Sequence, residues 1–251
     1  MKVIVPTGIN LSGRIVSLVS TQLHRLLSSN LAVARLRESR LILLGGGPLR
    51  EDLAGRARNS ELPLAPTYGL TETAGAVTLL PPEKFLSGDD GVGPTLPHAE
   101  LSLVEETKTL SIRGQSLCFG YEDCDFPSRA WFETADLAEQ AKDGNWRILG
   151  RIDRVVNTGG EKVNPAEGEA VIRETGIVDD CLALGLSDSD WGERLVAFCV
   201  PESTKVDLVD QAIRAKLPRS KVPKIILPVE SLPTNEMGKP DYERAARMLA
   251  D

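Results

Sequence analysis

Apolar positions along the first 90 residues follow two different spacings. Ile15-Val16-Ser17-Leu18-Val19 is a short apolar run, and Leu23, Leu26, Leu27 and Leu31 then recur at the spacing of one helix face. Leu41-Ile42-Leu43-Leu44 is apolar at every position, which predicts a strand buried on both faces, as in a parallel sheet. It runs into Gly45-Gly46-Gly47-Pro48, then into a helical segment near 49–58. A short strand, 64–66, leads to a loop, Tyr68-Gly69-Leu70-Thr71-Glu72-Thr73. Strand, glycine turn, helix and strand make α/β grammar, which places a ligand outside the carboxyl ends of the strands.

From about 88 to 150 the pattern changes. Short β-like runs at 101–104, 109–112 and 146–149 alternate with Gly, Pro, Asp and Asn turns, predicting a small antiparallel sheet or barrel. Beyond Arg151 a hairpin-like segment precedes Pro165-Ala166-Glu167, a helix start. Two apolar strands, 181–186 and 195–200, are joined by Ser187-Asp188-Ser189-Asp190-Trp191-Gly192. Then come a helix at 206–217, a strand at 224–229, a turn at 233–240 and a helix at 241–250. The predicted organisation is a partial α/β subdomain (1–87), a β-rich, barrel-like subdomain (88–151) and an α+β C-terminal domain (152–251). The fold class is thus α/β plus α+β.

The 251 residues are 41% hydrophobic and 26% charged, ordinary globular usage that argues against wholesale disorder and allows a substantial core. Lys+Arg of 29 against Asp+Glu of 36 gives a formal charge of −7, which argues against a general nucleic-acid binder. The longest apolar runs are far too short to span a bilayer, and the N-terminal segment has no secretory pattern. Cys118, Cys124, Cys181 and Cys199 contain no CxxC pair, and His24 and His98 are the only histidines. These features argue against zinc and for free thiols in a reducing cytoplasm.

Several short segments carry chemistry, each with a plainer reading beside it. Tyr68 offers a flat apolar surface to a purine, Thr71 a donor to phosphate, and Glu72 a hard oxygen for Mg²⁺. The same loop reads equally as a polar loop with a helix cap. Gly45, Gly46 and Gly47 allow close backbone approach to a ligand, or make a tight turn. Asp136, in Trp131-Phe132-Glu133-Thr134-Ala135-Asp136, can accept from two ribose hydroxyls or sit as a turn carboxylate. Gly150-Arg151-Ile152-Asp153-Arg154 with Asn157-Thr158-Gly159-Gly160-Glu161 suits a hinge or a solvated hairpin. Lys239, between Gly238 and Pro240, can reach a buried anion or stay solvated.

Taken in order, these segments resemble the adenylate-forming superfamily of acyl- and aryl-CoA ligases, luciferases and nonribosomal adenylation domains. Tyr68 to Thr73 is similar to its nucleotide motif. Ser111-Ile112-Arg113-Gly114 with Gly120-Tyr121 is similar to its β-subdomain motif, and 131–136 to its ribose motif. Gly150-Arg151-Ile152-Asp153, continued through Gly159-Gly160-Glu161-Lys162-Val163-Asn164-Pro165-Ala166-Glu167, resembles the hinge and glycine loop. Gly238-Lys239 resembles the terminal lysine motif. Val16 to Leu23, with Arg25-Leu26-Leu27 and Leu44-Gly45-Gly46-Gly47-Pro48, looks like the 2-succinylbenzoate–CoA ligase branch of menaquinone biosynthesis.

The resemblance implies an enzyme that forms an acyl-adenylate from ATP and a carboxylic acid, then a CoA thioester, with Mg²⁺. It implies catalytic roles for Lys239, Thr71 and Glu72, with Glu72 as the metal ligand. Nucleotide contacts fall to Gly45, Gly46, Gly47, Tyr68, Gly69, Asp136 and Arg151. Asp153 becomes the hinge of a mobile C-terminal domain, and Gly159 and Gly160 line the CoA channel. Departures stand beside this. The family's upstream half, with its Ser/Thr/Gly-rich phosphate loop, is absent from this sequence. Ala135 stands where glycine is usual, Gly168 replaces an apolar residue, and Pro240 and Tyr242 are atypical after the lysine. The alternatives are a fragment, a chain whose missing half a partner chain supplies, a homo-oligomer, or a remnant that binds nucleotide without turnover.

Overall fold

A computed structural model describes residues 10–121, 124–125, 130–235 and 240–249. The chain divides into two compact units, Met1–Leu149 and Gly150–Asp251.

The first unit opens with β1 (Ile15–Val19), α1 (Ser20–Leu26), α2 (Asn30–Arg37), β2 (Leu41–Gly45), α3 (Glu51–Asn59), β3 (Leu64–Leu70), β4 (Gly75–Leu79) and α4 (Pro82–Leu86). Strands β1, β2 and β3 are parallel neighbours, and β4 returns antiparallel on β3. Leu23, Leu36, Ile42, Leu53, Leu64 and Phe85 are fully buried in one core. Of the leucines predicted to share one helix face, Leu23 and Leu26 lie on α1, Leu27 just past its end and Leu31 on α2. Ser29 separates the two helices, its hydroxyl accepting from the Ala32 N–H at 3.4 Å, as serine at a helix start does. Leu31 is left exposed.

The expected loop at 68–73 is corrected. β3 continues through Tyr68, Gly69 and Leu70, and only Thr71–Thr73 leave it, as a 3₁₀ turn. The β3–β4 register slips between Tyr68 and Gly69, and a Cβ on Gly69 would lie 1.9 Å from the Gly75 carbonyl oxygen. No side chain fits there.

A second sheet follows, built from β5 (Ala99–Leu103), β6 (Thr109–Gly114), β9 (Phe132–Gln140) and β10 (Trp146–Arg151) in the order β10-β9-β6-β5. Between them β7 (Gly120–Tyr121) and β8 (Cys124–Asp125) pair with each other. The sequence patterns anticipate β5, β6 and β10 but not β9. Its inward residues are Thr134, Asp136 and Ala138, so burial on this strand has no apolar signature. Tyr68 and Leu70 pack on the core of this sheet, around Val77, Leu110, Ile112 and Trp146.

The second unit begins with the 3₁₀ turn Ile152–Arg154 and the hairpin β11 (Val156–Thr158) and β12 (Glu161–Val163), then α5 (Pro165–Glu174). Asn164 caps α5, its side chain accepting from the Ala166 N–H at 3.1 Å, and Pro165 takes the first helical position. Next come β13 (Asp180–Asp188), β14 (Gly192–Val200), α6 (Val206–Arg214), β15 (Ile225–Pro228) and α7 (Tyr242–Arg247). Strands β13 and β14 form a long antiparallel ladder, with β15 parallel to β14. Both faces are covered. Cys181, Ala183, Leu195, Ala197 and Cys199 share a core with Ile172, Val209 and Ile213, while Leu182, Leu184, Val196 and Phe198 pack with Ala245. Two-sided burial explains the near-continuous apolar runs. Cys118, Cys181 and Cys199 are free. Burial pushes the Cys199 thiol up to about 11. No helix among the described residues is long and apolar enough to cross a membrane.

Candidate functional site

In the first unit β3 and β9 bring two of the sequence candidates into contact. The Tyr68 hydroxyl donates to Asp136 Oδ2 at 2.6 Å across 68 positions of chain. Asp136 is 7% exposed, so its carboxylate is held largely away from water and must be satisfied by donors. β9 is itself pinned to β6, since the Thr134 hydroxyl donates to the Leu110 carbonyl at 2.8 Å. The glycine turn adjoins the same strand. Gly45 ends β2, and a Cβ there would meet Thr67 Oγ1 at 2.9 Å, while that hydroxyl donates to the Leu44 carbonyl at 3.0 Å. Gly45, Gly46 and Gly47 therefore begin one residue across from Tyr68, at the carboxyl end of the parallel strands.

Gly69 occupies the register slip, and Thr71 opens the turn that follows, exposed. Glu72, half-buried, is clasped by the segment leading to β7. The Tyr121 hydroxyl donates to Glu72 Oε1 at 2.5 Å, and the Cys118 N–H donates to the Glu72 carbonyl at 2.6 Å. The bond to the Glu72 carboxylate raises the Tyr121 phenol above its usual range. Two motif segments that lie 49 positions apart are thus joined at one carboxylate. Among the described residues no group of three or more His, Cys, Asp or Glu could hold a metal ion. Glu72 stands as a single hard-oxygen group.

In the second unit the candidates stand on turns. The Arg151 guanidinium engages Asp153 in a fork, Nε to Oδ1 at 2.9 Å and Nη2 to Oδ2 at 2.6 Å. That pairing holds the Asp153 carboxyl below its ordinary range, the hydrogen bond from Arg151 being the main cause. The sequence assigned these two residues separate roles, and the structure joins them. Gly159 and Gly160 form the turn of the β11–β12 hairpin. Gly159 has φ +61°, donates its N–H to the Trp191 carbonyl at 2.9 Å, and would place a Cβ 2.8 Å from the indole.

Beside that turn lies a cleft of about 230 Å³ lined by Thr158, Gly159, Glu161, Trp191, Arg219 and Lys224, among others. The Lys224 ammonium sits over the Trp191 ring at 4.8 Å, and the Thr158 hydroxyl is buried with no hydrogen-bond partner among the described residues. Trp191, Arg219 and Lys224 are the residues that reading the sequence missed as part of a site. Their only signal was a tryptophan in a polar turn and a basic run from 219 to 224.

Lys239 lies outside the described residues, with Glu236, Met237 and Gly238. The chain on either side of it is fixed. Thr234 bridges Pro240, and the Asp241 N–H donates to the Pro233 carbonyl at 3.0 Å.

The family model for AMP-binding enzymes matches residues 10–121, and that for the AMP-binding enzyme C-terminal domain matches 167–239. A 2-succinylbenzoate–CoA ligase from Listeria monocytogenes is 32% identical over 236 residues, covering 91% of this chain and 50% of the ligase. ATP-bound MatB from Rhodopseudomonas palustris superposes with a TM-score of 0.81 at 27% identity, over 95% of this chain and 51% of that one. An o-succinylbenzoate coenzyme A synthetase from Bacillus subtilis, in complex with ATP and magnesium ion, gives 0.75 at 25% identity, over 95% and 51%. The chain spans about half the length of the curated relatives it matches.

Proposed function

Because the chain belongs to the family of AMP-binding enzymes, we propose that it carries the nucleotide- and thiol-handling machinery of an ATP-dependent acid–CoA ligase, with 2-succinylbenzoate as the acid. The observation that carries this reading is the Tyr68–Asp136 hydrogen bond, which joins the nucleotide motif to the ribose motif. A carboxylate is a poor acyl donor because its leaving group would be oxide. In the first half-reaction a carboxylate oxygen attacks the α-phosphorus of ATP and pyrophosphate leaves. In the second, the CoA sulfur attacks the acyl carbon, its proton is lost and AMP leaves.

In this reading Asp136, already satisfied on one oxygen by Tyr68, turns its carboxylate to the ribose hydroxyls, and Arg151 assists there. Tyr68, with Gly69 at the bulge beside it, and the turn of Gly45, Gly46 and Gly47 flank the adenine. Thr71 donates to a phosphate oxygen. Glu72 keeps one carboxylate oxygen away from the Tyr121 bond, and a single carboxylate completed by substrate phosphates and water suits Mg²⁺. Bound with ATP, Mg²⁺ neutralises phosphate charge. Lys239 stabilises charge between the acid and the α-phosphate. Gly159 and Gly160 pass the pantetheine arm, with Trp191, Arg219 and Lys224 offering an aromatic face and two cations to an anionic purine nucleotide. Asp153 is the hinge of a three-part organisation, 1–87, 88–151 and 152–251, whose last part reorients between half-reactions.

ATP–pyrophosphate exchange with a panel of aromatic acids, including 2-succinylbenzoate, tests this reading. Acid-dependent exchange is expected, falling by roughly 10²–10³ in Lys239→Ala while thioester formation from preformed acyl-adenylate is much less affected. Equal losses in both steps would remove the assigned role. A second reading makes the chain one part of a split enzyme, or a nucleotide-binding remnant without turnover by itself. Calorimetric titration separates them. A chain without β- and γ-phosphate donors binds AMP and Mg·ATP alike and shows no exchange alone. ATP bound at least tenfold tighter than AMP is the result expected of a complete site.

A further inference from the structure

We propose that Asp188 and Glu193, on either side of the turn from β13 to β14, are positioning residues for the Gly159–Gly160 turn in the thiol half-reaction. The proposal rests on the reading of Gly159 and Gly160 given above.

β11 pairs with β14 at one position, Thr158 opposite Gly192. The residues on both sides of that pair are held by other means. The Gly159 N–H donates to the Trp191 carbonyl at 2.9 Å, and the Asn157 N–H donates to Glu193 Oε2 at 2.7 Å. Residues 157, 158 and 159 thus meet 193, 192 and 191 in antiparallel order, with a carboxylate in the place of one carbonyl. A carboxylate that accepts from a main-chain N–H makes a stronger bond than a neutral oxygen does. Room for it comes from β13. A Cβ on Gly185 would lie 3.1 Å from Glu193 Oε1 and 2.8 Å from Val156 Cγ2.

Asp188 fixes the other end of this contact. Its Oδ1 accepts from the Asp190 N–H at 2.9 Å and from the Trp191 N–H at 3.1 Å, and its Oδ2 lies 3.7 Å from Arg194 Nη1. Trp191, whose carbonyl receives Gly159, is therefore held through its own N–H. Asp188 also ends the long β13–β14 ladder, which is buried on both faces. The glycine turn takes its place from that ladder. A sulfur attacks an acyl carbon from about 3–3.5 Å, and an ångström of misplacement can cost about a hundredfold. Asp188 and Glu193 serve that alignment through Gly159 and Gly160 and touch no substrate themselves. Trp191 and Lys224 differ, since in the proposed function they face the nucleotide end of CoA.

The test compares the full chain with Glu193→Ala, Glu193→Gln, Asp188→Ala and Asp188→Asn. Thioester formation from preformed acyl-adenylate is measured with CoA and with pantetheine, which lacks the nucleotide. Glu193→Ala should slow the step about tenfold with either thiol, and Asp188→Ala about threefold, while calorimetry finds AMP bound as in the parent chain. Glu193→Gln and Asp188→Asn keep an acceptor oxygen and should recover most of each loss. Hydrogen exchange in peptides spanning 155–161 should rise about tenfold in Glu193→Ala, with 181–187 and 195–200 unchanged. A loss seen with CoA that disappears with pantetheine would place Glu193 at the nucleotide and overturn the proposal. Unchanged exchange in 155–161, a rise shared by the ladder, or no recovery in Glu193→Gln would overturn it as well. A parent chain that forms no thioester removes the proposed function and the thiol role together. The exchange measurement needs no turnover, so it still decides whether the two side chains hold the turn.

Discussion

Asp136 and Asp153 are carboxylates from two motifs of one family, and the molecule treats them in opposite ways. Asp136 sits in the middle of a nine-residue strand, 7% exposed, and accepts from a neutral hydroxyl. Asp153 sits in a three-residue turn with its side chain 52% exposed, and accepts from a guanidinium two residues away. The first is held by long-range structure and the second by its own neighbourhood. The difference extends to the surrounding residues. In the first unit the candidates stand on, or directly beside, strands of two sheets that share a core through Tyr68 and Val77. In the second unit Arg151, Asp153, Gly159 and Gly160 stand at strand ends and turns. A binding site gains precision from rigid elements, whereas a segment that must change conformation belongs on a turn.

The sharpest way to break that comparison is to disturb one glycine from each region. Gly69→Val puts side-chain atoms into the Gly75 backbone, where even a Cβ lies at 1.9 Å. It should lose more than about 4 kcal/mol or fail to fold, by the overlap that marks the extreme of single substitutions. Gly160→Ala meets no atom within 4 Å but has φ +84°. It should lose only about 1 kcal/mol, the strain of a left-handed residue. Thermal unfolding of both variants decides the point. Similar losses would mean that the first unit's strands are no stricter than the second unit's turn.

The next effect is on binding. Asp136→Ala removes a buried charged acceptor from the proposed ribose contact and should weaken AMP about 10–100-fold, the range of one or two charged hydrogen bonds. Tyr68→Phe removes only the hydroxyl that orients Asp136 and should weaken AMP by less than about tenfold. Calorimetry in which Tyr68→Phe costs more than Asp136→Ala would reverse the order of importance. In the second unit Trp191→Ala should weaken CoA by about fivefold, since an exposed cation–aromatic contact contributes about 0.5–1 kcal/mol.

How much of this was legible in the sequence follows the same division. The apolar run 41–44 announced a parallel strand, and β2 lies between β1 and β3, but only Ile42 and Leu44 are buried while Leu41 and Leu43 are half-buried. Pro165 announced α5 because proline at the first helical position is a local signal. β9 was missed because Thr134, Asp136 and Ala138 face inward, and a strand buried through polar residues has no hydrophobic alternation. The Tyr68–Asp136 bond was legible as two separate motifs but not as a contact, since it spans two sheets. Trp191, Arg219 and Lys224 come from a turn, a 3₁₀ segment and the residue before β15, and nothing in their spacing links them.

The smallest effect separates the two aspartates by pH. Arg151 holds Asp153 below the ordinary carboxylate value of 3.8. A group whose folded value is depressed adds stability above its unfolded value, and that stability is lost as pH falls through the folded value. The increment should therefore be fully present well above 3.8 and shrink as pH falls below 3.8 through the folded value. Because both partners are more than a third exposed, it should be under about 1 kcal/mol. Asp153→Asn should abolish it, and added salt should shrink it in the parent chain. The same substitution at Asp136 acts on a buried acceptor and should cost more at pH 7, because the Tyr68 hydroxyl loses its charged partner. Chemical denaturation of both variants at pH 7 and pH 3 gives the comparison. If the Asp153→Asn difference from the parent chain were as large at pH 3 as at pH 7, the pair would not act through charge, and the contrast between a locally held and a globally held carboxylate would fail at its exposed end.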